Sequence, residues 1–395
     1  MYQTACQPNT RLHIADALRG IAILGIILLH NVEHMNFYSF PEATNEWMIW
    51  LNQSTWDGLF FAFGGKMYSI FALMFGLSFF IQNDNQMQKG KDFTLRFLWR
   101  MTLLLVFAMI NTFFFNGDIL FSYALFGMLL PFVAKLNTKT VAVITCFLLL
   151  QPVEIYQIIS AIFNPDYQLI NANSGKYFGV MAKMQENGSF WECGWNNLKY
   201  GQLATITWNI ENGRTTQLPG LFLLGMLLGR IRLFYNEKSN LKTWLGVLAV
   251  ALLIFFPAYG LYNLIPEYIS RKEILVPMQL LFKSWSNLSQ TFMYVSALVL
   301  LFYSIPIVHK FMMKLTNFGR SSMTNYFLQS ILGSILYYGW GFGLYRYCGP
   351  AISLVIGIGM VLIQYFFCRW WLRTHSHGPF EGLWKRLTWI NFERR

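Results

Sequence analysis

The sequence predicts an all-α integral membrane protein of about ten transmembrane helices, with both termini cytoplasmic and one extracytoplasmic cap region. Three observations predict it. Of 395 residues, 55% are hydrophobic and only 12% charged, and the mean hydropathy of +0.39 is far above that of a soluble domain of this length. Apolar runs long enough to cross a bilayer recur along the whole chain. Basic residues fall mainly into alternate loops. Because the runs are continuous rather than alternating, a closed β-barrel is excluded.

The first run, 15–32, starts with Asp16 and Arg19, passes into polar His30-Asn31 and has no small-residue cleavage site. It reads as a retained span, not a signal peptide. The second, 57–81, is interrupted by Gly64-Gly65-Lys66, and a glycine pair beside a lysine at membrane depth predicts a broken helix around a polar cavity. Runs 97–115 and 118–136 are joined by a tight turn in which Asp118 can cap the next helix, and 140–162 completes a first block over 1–162.

The polar, aromatic stretch 163–214 reads as a small folded extracytoplasmic cap. A second block, 215–395, holds runs 215–234, 243–264, 287–308, 322–343 and 350–372, followed by a basic, Trp-containing tail suited to the membrane surface. The two blocks show no internal repeat of the kind expected of an inverted-repeat transporter.

With the N-terminus inside, twenty basic residues fall on the inner side and eight on the outer, so the positive-inside rule sets the topology. The net charge of +12 is thereby a matter of orientation, and no nucleic-acid motif accompanies it. Cys6, Cys146, Cys193, Cys348 and Cys368 have no metal-ligand spacing, and no metal is expected.

Ionisable groups at membrane depth need a reason. At about 100° per residue, Asp16, Arg19, Ile23, Ile27, His30 and His34 fall along one side of a helix. Arg19 and His30 then stand about 16 Å apart along the axis, far enough to separate an anion-binding end from a reactive end. Imidazole can act as a base or carry an acyl group, so His30 and His34 both qualify. Their i,i+4 spacing also suits a zinc pair, although no third ligand is recognisable. Asp118 is either a helix cap or an orienter of imidazole. Lys66 is either an oxyanion stabiliser or the ion-pair partner of Asp118 or Asp57.

Five segments carry a family resemblance: Asp16-Ala-Leu-Arg19-Gly20, Gly65-Lys66-Met67-Tyr-Ser-Ile-Phe with Gly76, Gly117-Asp118-Ile-Leu, Gly319-Arg320 through Gln329, and Gly378-Pro379-Phe-Glu381-Gly-Leu-Trp384-Lys385. Together they resemble the YeiB-like family of uncharacterised bacterial membrane proteins. The opening motif is also similar to the first span of acyltransferase family 3 and of the heparan-alpha-glucosaminide N-acetyltransferases. The former implies His30 as the catalytic histidine, the latter His34.

The resemblance implies a bacterial inner-membrane enzyme that moves an acyl group, typically acetyl, from cytoplasmic acyl-CoA to an extracytoplasmic glycan-like acceptor. The CoA phosphates would be met by Arg19, Arg320 and Arg100, and the pantetheine amides by Asn325 and Gln329. Two other classes stay open. A small-molecule permease is motivated by the break at 64–66 and the intramembrane charges, and a non-catalytic membrane-assembly protein by the cap. A homo-oligomer is compatible with each.

Overall fold

The computed structural model describes residues 11–35, 37–169 and 172–390; Cys6, Arg394 and Arg395 lie outside them. Among the described residues all regular structure is helical. In chain order the helices are α1 (His13–Val32), α2 (Glu46–Phe63), α3 (Met67–Met87), α4 (Thr94–Phe114), α5 (Leu120–Gly127), α6 (Leu130–Val133), α7 (Thr138–Leu149), α8 (Pro152–Phe163) and α9 (Ser174–Asn187). They continue with α10 (Phe190–Glu211), α11 (Arg214–Arg230), α12 (Lys238–Tyr268), α13 (Lys272–Ser304), α14 (Pro306–Arg320), α15 (Ser322–Tyr337), α16 (Pro350–Trp371) and α17 (Pro379–Thr388).

Among these, five are long and apolar enough to cross a membrane, counting α2 and α3 together, and the two bent pairs α7/α8 and α13/α14 raise this to seven. The ten runs drawn from sequence are not all matched, for a reason of length. Run 118–136 folds as α5 and α6, of 8 and 4 residues, and 322–343 as the 16-residue α15. At 1.5 Å per residue, α15 is about 24 Å long, short of a bilayer core of about 30 Å.

The core forms around α1, α3, α4, α11 and α15. Helix contact in hydrocarbon depends on small residues that let backbones approach. A Cβ at Gly225 would overlap the Leu73 carbonyl oxygen, and one at Gly76 that of Phe222, so α3 and α11 meet main chain to main chain. By contrast, α12 leaves Leu245, Leu253 and Phe256 exposed, the pattern of a surface solvated by lipid.

The break at 64–66 is real, with Gly65 in the left-handed region at φ +76°. The stretch 163–214, expected as a small folded cap, holds α9 and α10. Its second helix, α10, lies against α4 and sends polar side chains into the end of that helix: Gln202 donates to Thr112 Oγ1 at 2.5 Å, and Asn197 to the Phe113 carbonyl at 3.2 Å. Residues 190–211 are a wall of the helical body.

Candidate functional site

Helix α1 runs the length of the site. At its N-terminal end Asp16 joins Arg19 at 2.8 Å and Arg11 at 2.6 Å, and Arg19 also donates to Ser78. This end opens a cavity of about 240 Å3. Arg11, Arg19, Arg100, Arg320, Ser78 and Gln82 give it a basic, polar mouth, while Phe71, Phe75, Leu120, Tyr123 and Tyr326 make up much of its apolar lining.

Arg100 lies 3.7 Å from the Trp384 ring. The guanidinium of Arg320 donates to the Ser376 carbonyl at 2.9 Å, whereas its Nε is buried without a partner. Behind it, burial and then the charges of Lys385, Arg320 and Arg11 hold the His377 imidazole below its ordinary pKa.

The motif at 378–385 has a mechanical role that sequence reasoning missed. Glu381 reaches from α17 to the start of α15, accepting from the backbone of Met323 at 2.6 Å and Thr324 at 3.0 Å and from the Thr324 hydroxyl at 2.6 Å. It serves as an N-cap supplied from a distant segment. Phe380 stacks on Phe327 at 4.3 Å, and Trp384 donates to the Arg100 carbonyl at 3.0 Å. The tail thus closes one side of the basic mouth.

Beyond Tyr326 the chemistry changes. The His30 ring stands 4.8 Å from Phe115 and 6.5 Å from Tyr326, with Gln329 beside it. Asp118 uses Oδ1 to accept from the Leu120 amide at 2.9 Å, and its carboxyl lies beside the Tyr326, Asn111 and Thr112 side chains. In this part of the molecule His30 Nδ1, Asp118 Oδ2 and both amide atoms of Gln329, Asn111 and Asn116 are buried without a well-formed hydrogen bond. Buried polar atoms at membrane depth are costly unless something satisfies them, and water or a ligand is the ordinary answer.

His30, Asp118 and Gln329 are therefore brought together, and Arg19, Arg320 and Arg100 share one mouth. Gln329 meets His30 instead of lining that mouth. Three expected roles do not fit the geometry. His34 lies past the end of α1, with φ +50°. Its Nδ1 donates to the Ser39 carbonyl at 2.8 Å, its Nε2 accepts from Ser353 Oγ at 2.7 Å, and its ring stacks on Tyr337 at 4.4 Å. With both nitrogens engaged, His34 is built into the core, and no zinc pair with His30 can use it.

Asn325 is likewise occupied, donating to the Phe318 carbonyl at 3.0 Å and accepting from Cys368 Sγ at 3.2 Å. It ties α14 to α15 and does not line the cavity. Lys66 forms an ion pair with neither Asp118 nor Asp57; Asp57 instead accepts from Gln53 at 2.9 Å. Sequence reasoning also passed over Asn111, Asn116 and Tyr326. The two asparagines could have been found as polar residues flanking an apolar helix end, and Tyr326 by its i,i+3 relation to Gln329.

Comparison with known proteins finds chains and a family that this one is similar to. Residues 228–391 match the family described as a protein of unknown function, DUF418. The chain is 27% identical to the uncharacterised protein YxaH of Bacillus subtilis (strain 168), over 98% of this chain and 96% of the relative. It is 26% identical to the uncharacterised protein YeiB of Escherichia coli (strain K12), over 94% and 95%, and 25% to an uncharacterised 39.9 kDa protein of Bacillus acidopullulyticus, over 96% and 94%. No solved structure matches.

Proposed function

Taking the chain as YeiB-like along nearly its whole length, we propose that it is an inner-membrane acyltransferase that moves an acyl group, typically acetyl, from cytoplasmic acyl-CoA to an extracytoplasmic glycan-like acceptor. The proposal includes the ten-span topology with both termini cytoplasmic, the shorter segments α5 with α6, α11 and α15 completing the ten within the helical body, which puts the Arg19, Arg100 and Arg320 mouth on the CoA side. One observation carries the reading: Tyr326, which lines the basic-mouthed cavity, also stands beside the His30 ring, where His30 Nδ1, Asp118 Oδ2 and the Gln329 amide lack well-formed hydrogen bonds.

In this reading the arginines hold the CoA phosphates, Arg320 Nε and the π-stacked Arg100 being the freest donors. The thioester reaches past Tyr326 toward His30. The imidazole takes the proton from the acceptor hydroxyl as that oxygen attacks the thioester carbonyl. The C–S bond then breaks and the proton passes from imidazole to the departing CoA thiolate, so CoA leaves as the thiol and His30 returns to its neutral form. Gln329 supplies a donor to the developing oxyanion. Asp118, beside Tyr326, orients the polar groups around it.

The test is binding of acetyl-CoA to the purified full-length protein, together with acetyl release from labelled acetyl-CoA. Arg320→Gln and Arg100→Gln should weaken binding about tenfold each, the size expected for one charge-assisted contact. His30→Gln should bind normally and release no acetyl group. If folded wild-type protein binds no acyl-CoA, the acyltransfer reading fails and the permease reading takes its place.

A further inference from the structure

Three cations from three separate helices meet at the end of the protein opposite the arginine mouth. Lys66 precedes α3, Arg214 opens α11, and Lys283 lies in the first half of α13. Their neighbours fix the juxtaposition. The Tyr68 hydroxyl donates to Gln217, and the Gln217 amide donates to Ser284 Oγ at 2.8 Å, which joins α3, α11 and α13 beside all three charges. Gly65 packs against Asn287, one turn beyond Lys283. The Arg214 guanidinium is sandwiched between the rings of Tyr68 at 4.1 Å and Trp208 at 4.2 Å. Lys283 is within electrostatic range of both Lys66 and Arg214.

Among the described residues none of the three forms an ion pair. Lys66 is only 5% exposed, and its ammonium has the Phe60 carbonyl at 3.5 Å and the Phe61 ring at 5.6 Å for company. Glu33, in range of Arg214, is engaged with the Tyr38 hydroxyl. Glu154 lies beside Gln151 and Gly213 and forms no ion pair with Arg214. Lys66 is buried and Arg214 half-buried, while Lys283 is exposed; holding like charges together in this way is expensive unless an anion answers them. The N-termini of α3 and α11 add positive potential at the same place. Glu33 answers Arg214 at longer range, but among the described residues no carboxylate pairs with Lys66 or Lys283.

We propose that Lys66, Lys283 and Arg214 form the binding site for a phosphate-bearing ligand at the end of the molecule predicted to face outward. Two ammonium groups and helix N-termini suit a compact multivalent oxyanion. The stacked guanidinium keeps its edge free to donate while its faces are covered by aromatic rings. Only the further statement that this ligand is the acyl acceptor rests on the acyltransfer reading; the site stands without it. The phosphate can come from a lipid headgroup or from a soluble phosphomonoester.

The experiment measures binding of phosphatidic acid in phosphatidylcholine nanodiscs, and of glycerol 3-phosphate in solution, to the full-length protein. Wild type should bind at least one of them, and the double variant Lys66→Gln/Lys283→Gln should lose about tenfold or more. Preference for phosphatidic acid assigns a lipid source; equal or better binding of glycerol 3-phosphate assigns a soluble one. Lys283→Arg should retain binding, and Lys283→Gln alone, exposed and so tolerable to the fold, should weaken it.

Arg100→Gln, at the other end, should leave phosphate binding intact while weakening acetyl-CoA. If neither phosphate compound binds better than phosphatidylcholine or glycerol, or if the lysine variants bind as wild type does, the proposal is overturned. Phosphate binding in a protein that ignores acetyl-CoA would keep this site and remove the acyltransfer reading, and the converse would do the reverse.

Discussion

His30 and His34 are four residues apart and both are enclosed by aromatic rings, yet they are opposite in kind. His34 has both ring nitrogens bonded and a stacked tyrosine beneath it. His30 has Nδ1 without a well-formed hydrogen bond, and the Gln329 amide beside it is equally unsatisfied. An imidazole whose hydrogen bonds are complete contributes to stability and has no lone pair to offer a substrate. One left incomplete at membrane depth costs the fold something, and that cost marks where a ligand or water belongs. Proximity in sequence therefore says little about which histidine acts.

The comparison breaks most readily at His34. His34→Ala removes a buried stacked ring with two hydrogen bonds and should lower stability by about 3–5 kcal/mol, seen as a large fall in the thermal midpoint of the detergent-solubilised protein. Any remaining folded fraction should release acetyl at the wild-type rate per molecule. A folded His34→Ala protein with full stability would erase the distinction drawn here.

A purely steric lesion calibrates that loss. Gly225→Ala places a methyl group against the Leu73 carbonyl, where neither backbone can yield, and should cost about 3 kcal/mol without touching either histidine. Smaller again is Glu381→Ala, which strips the distant cap from α15 and should cost about 1–2 kcal/mol. Because α15 carries Tyr326 and Gln329, this variant should also reduce acetyl release relative to acetyl-CoA binding, a split that a stability defect alone would not give.

The smallest stability effect belongs to His30. Since the removed group leaves few hydrogen bonds behind, His30→Ala should shift stability by no more than about 1 kcal/mol in either direction, while acetyl release disappears. A loss as large as that of His34→Ala would make His30 a second structural histidine.

How much of this was legible beforehand differs from one residue to the next. Asp16 and Arg19 could be read from three-residue spacing on an apolar helix, because i,i+3 neighbours meet whatever the rest of the chain does. Arg19, Arg100 and Arg320 could be assigned to one end because the bilayer sorts positive charge by side. Asn325 and Gln329 could not be told apart: both are polar and both lie on one apolar helix, but one turns toward the α14 to α15 corner and the other toward His30. Arg214 and Lys283 went unremarked because each is an ordinary interfacial cation until three helices bring them beside Lys66.

By itself, the sequence determined that this is a helical membrane protein, where its apolar runs lie, and that the first helix carries charge at one end and imidazole near the other. These follow from transfer free energy and helical period, which are local properties of the chain. Only tertiary structure decided which histidine is satisfied, which glutamate caps α15 from fifty-odd residues away, and which cations face one another without an ion-pair partner. Hydrogen-bond completion and charge pairing depend on groups arriving from distant segments, and no local pattern encodes their arrival.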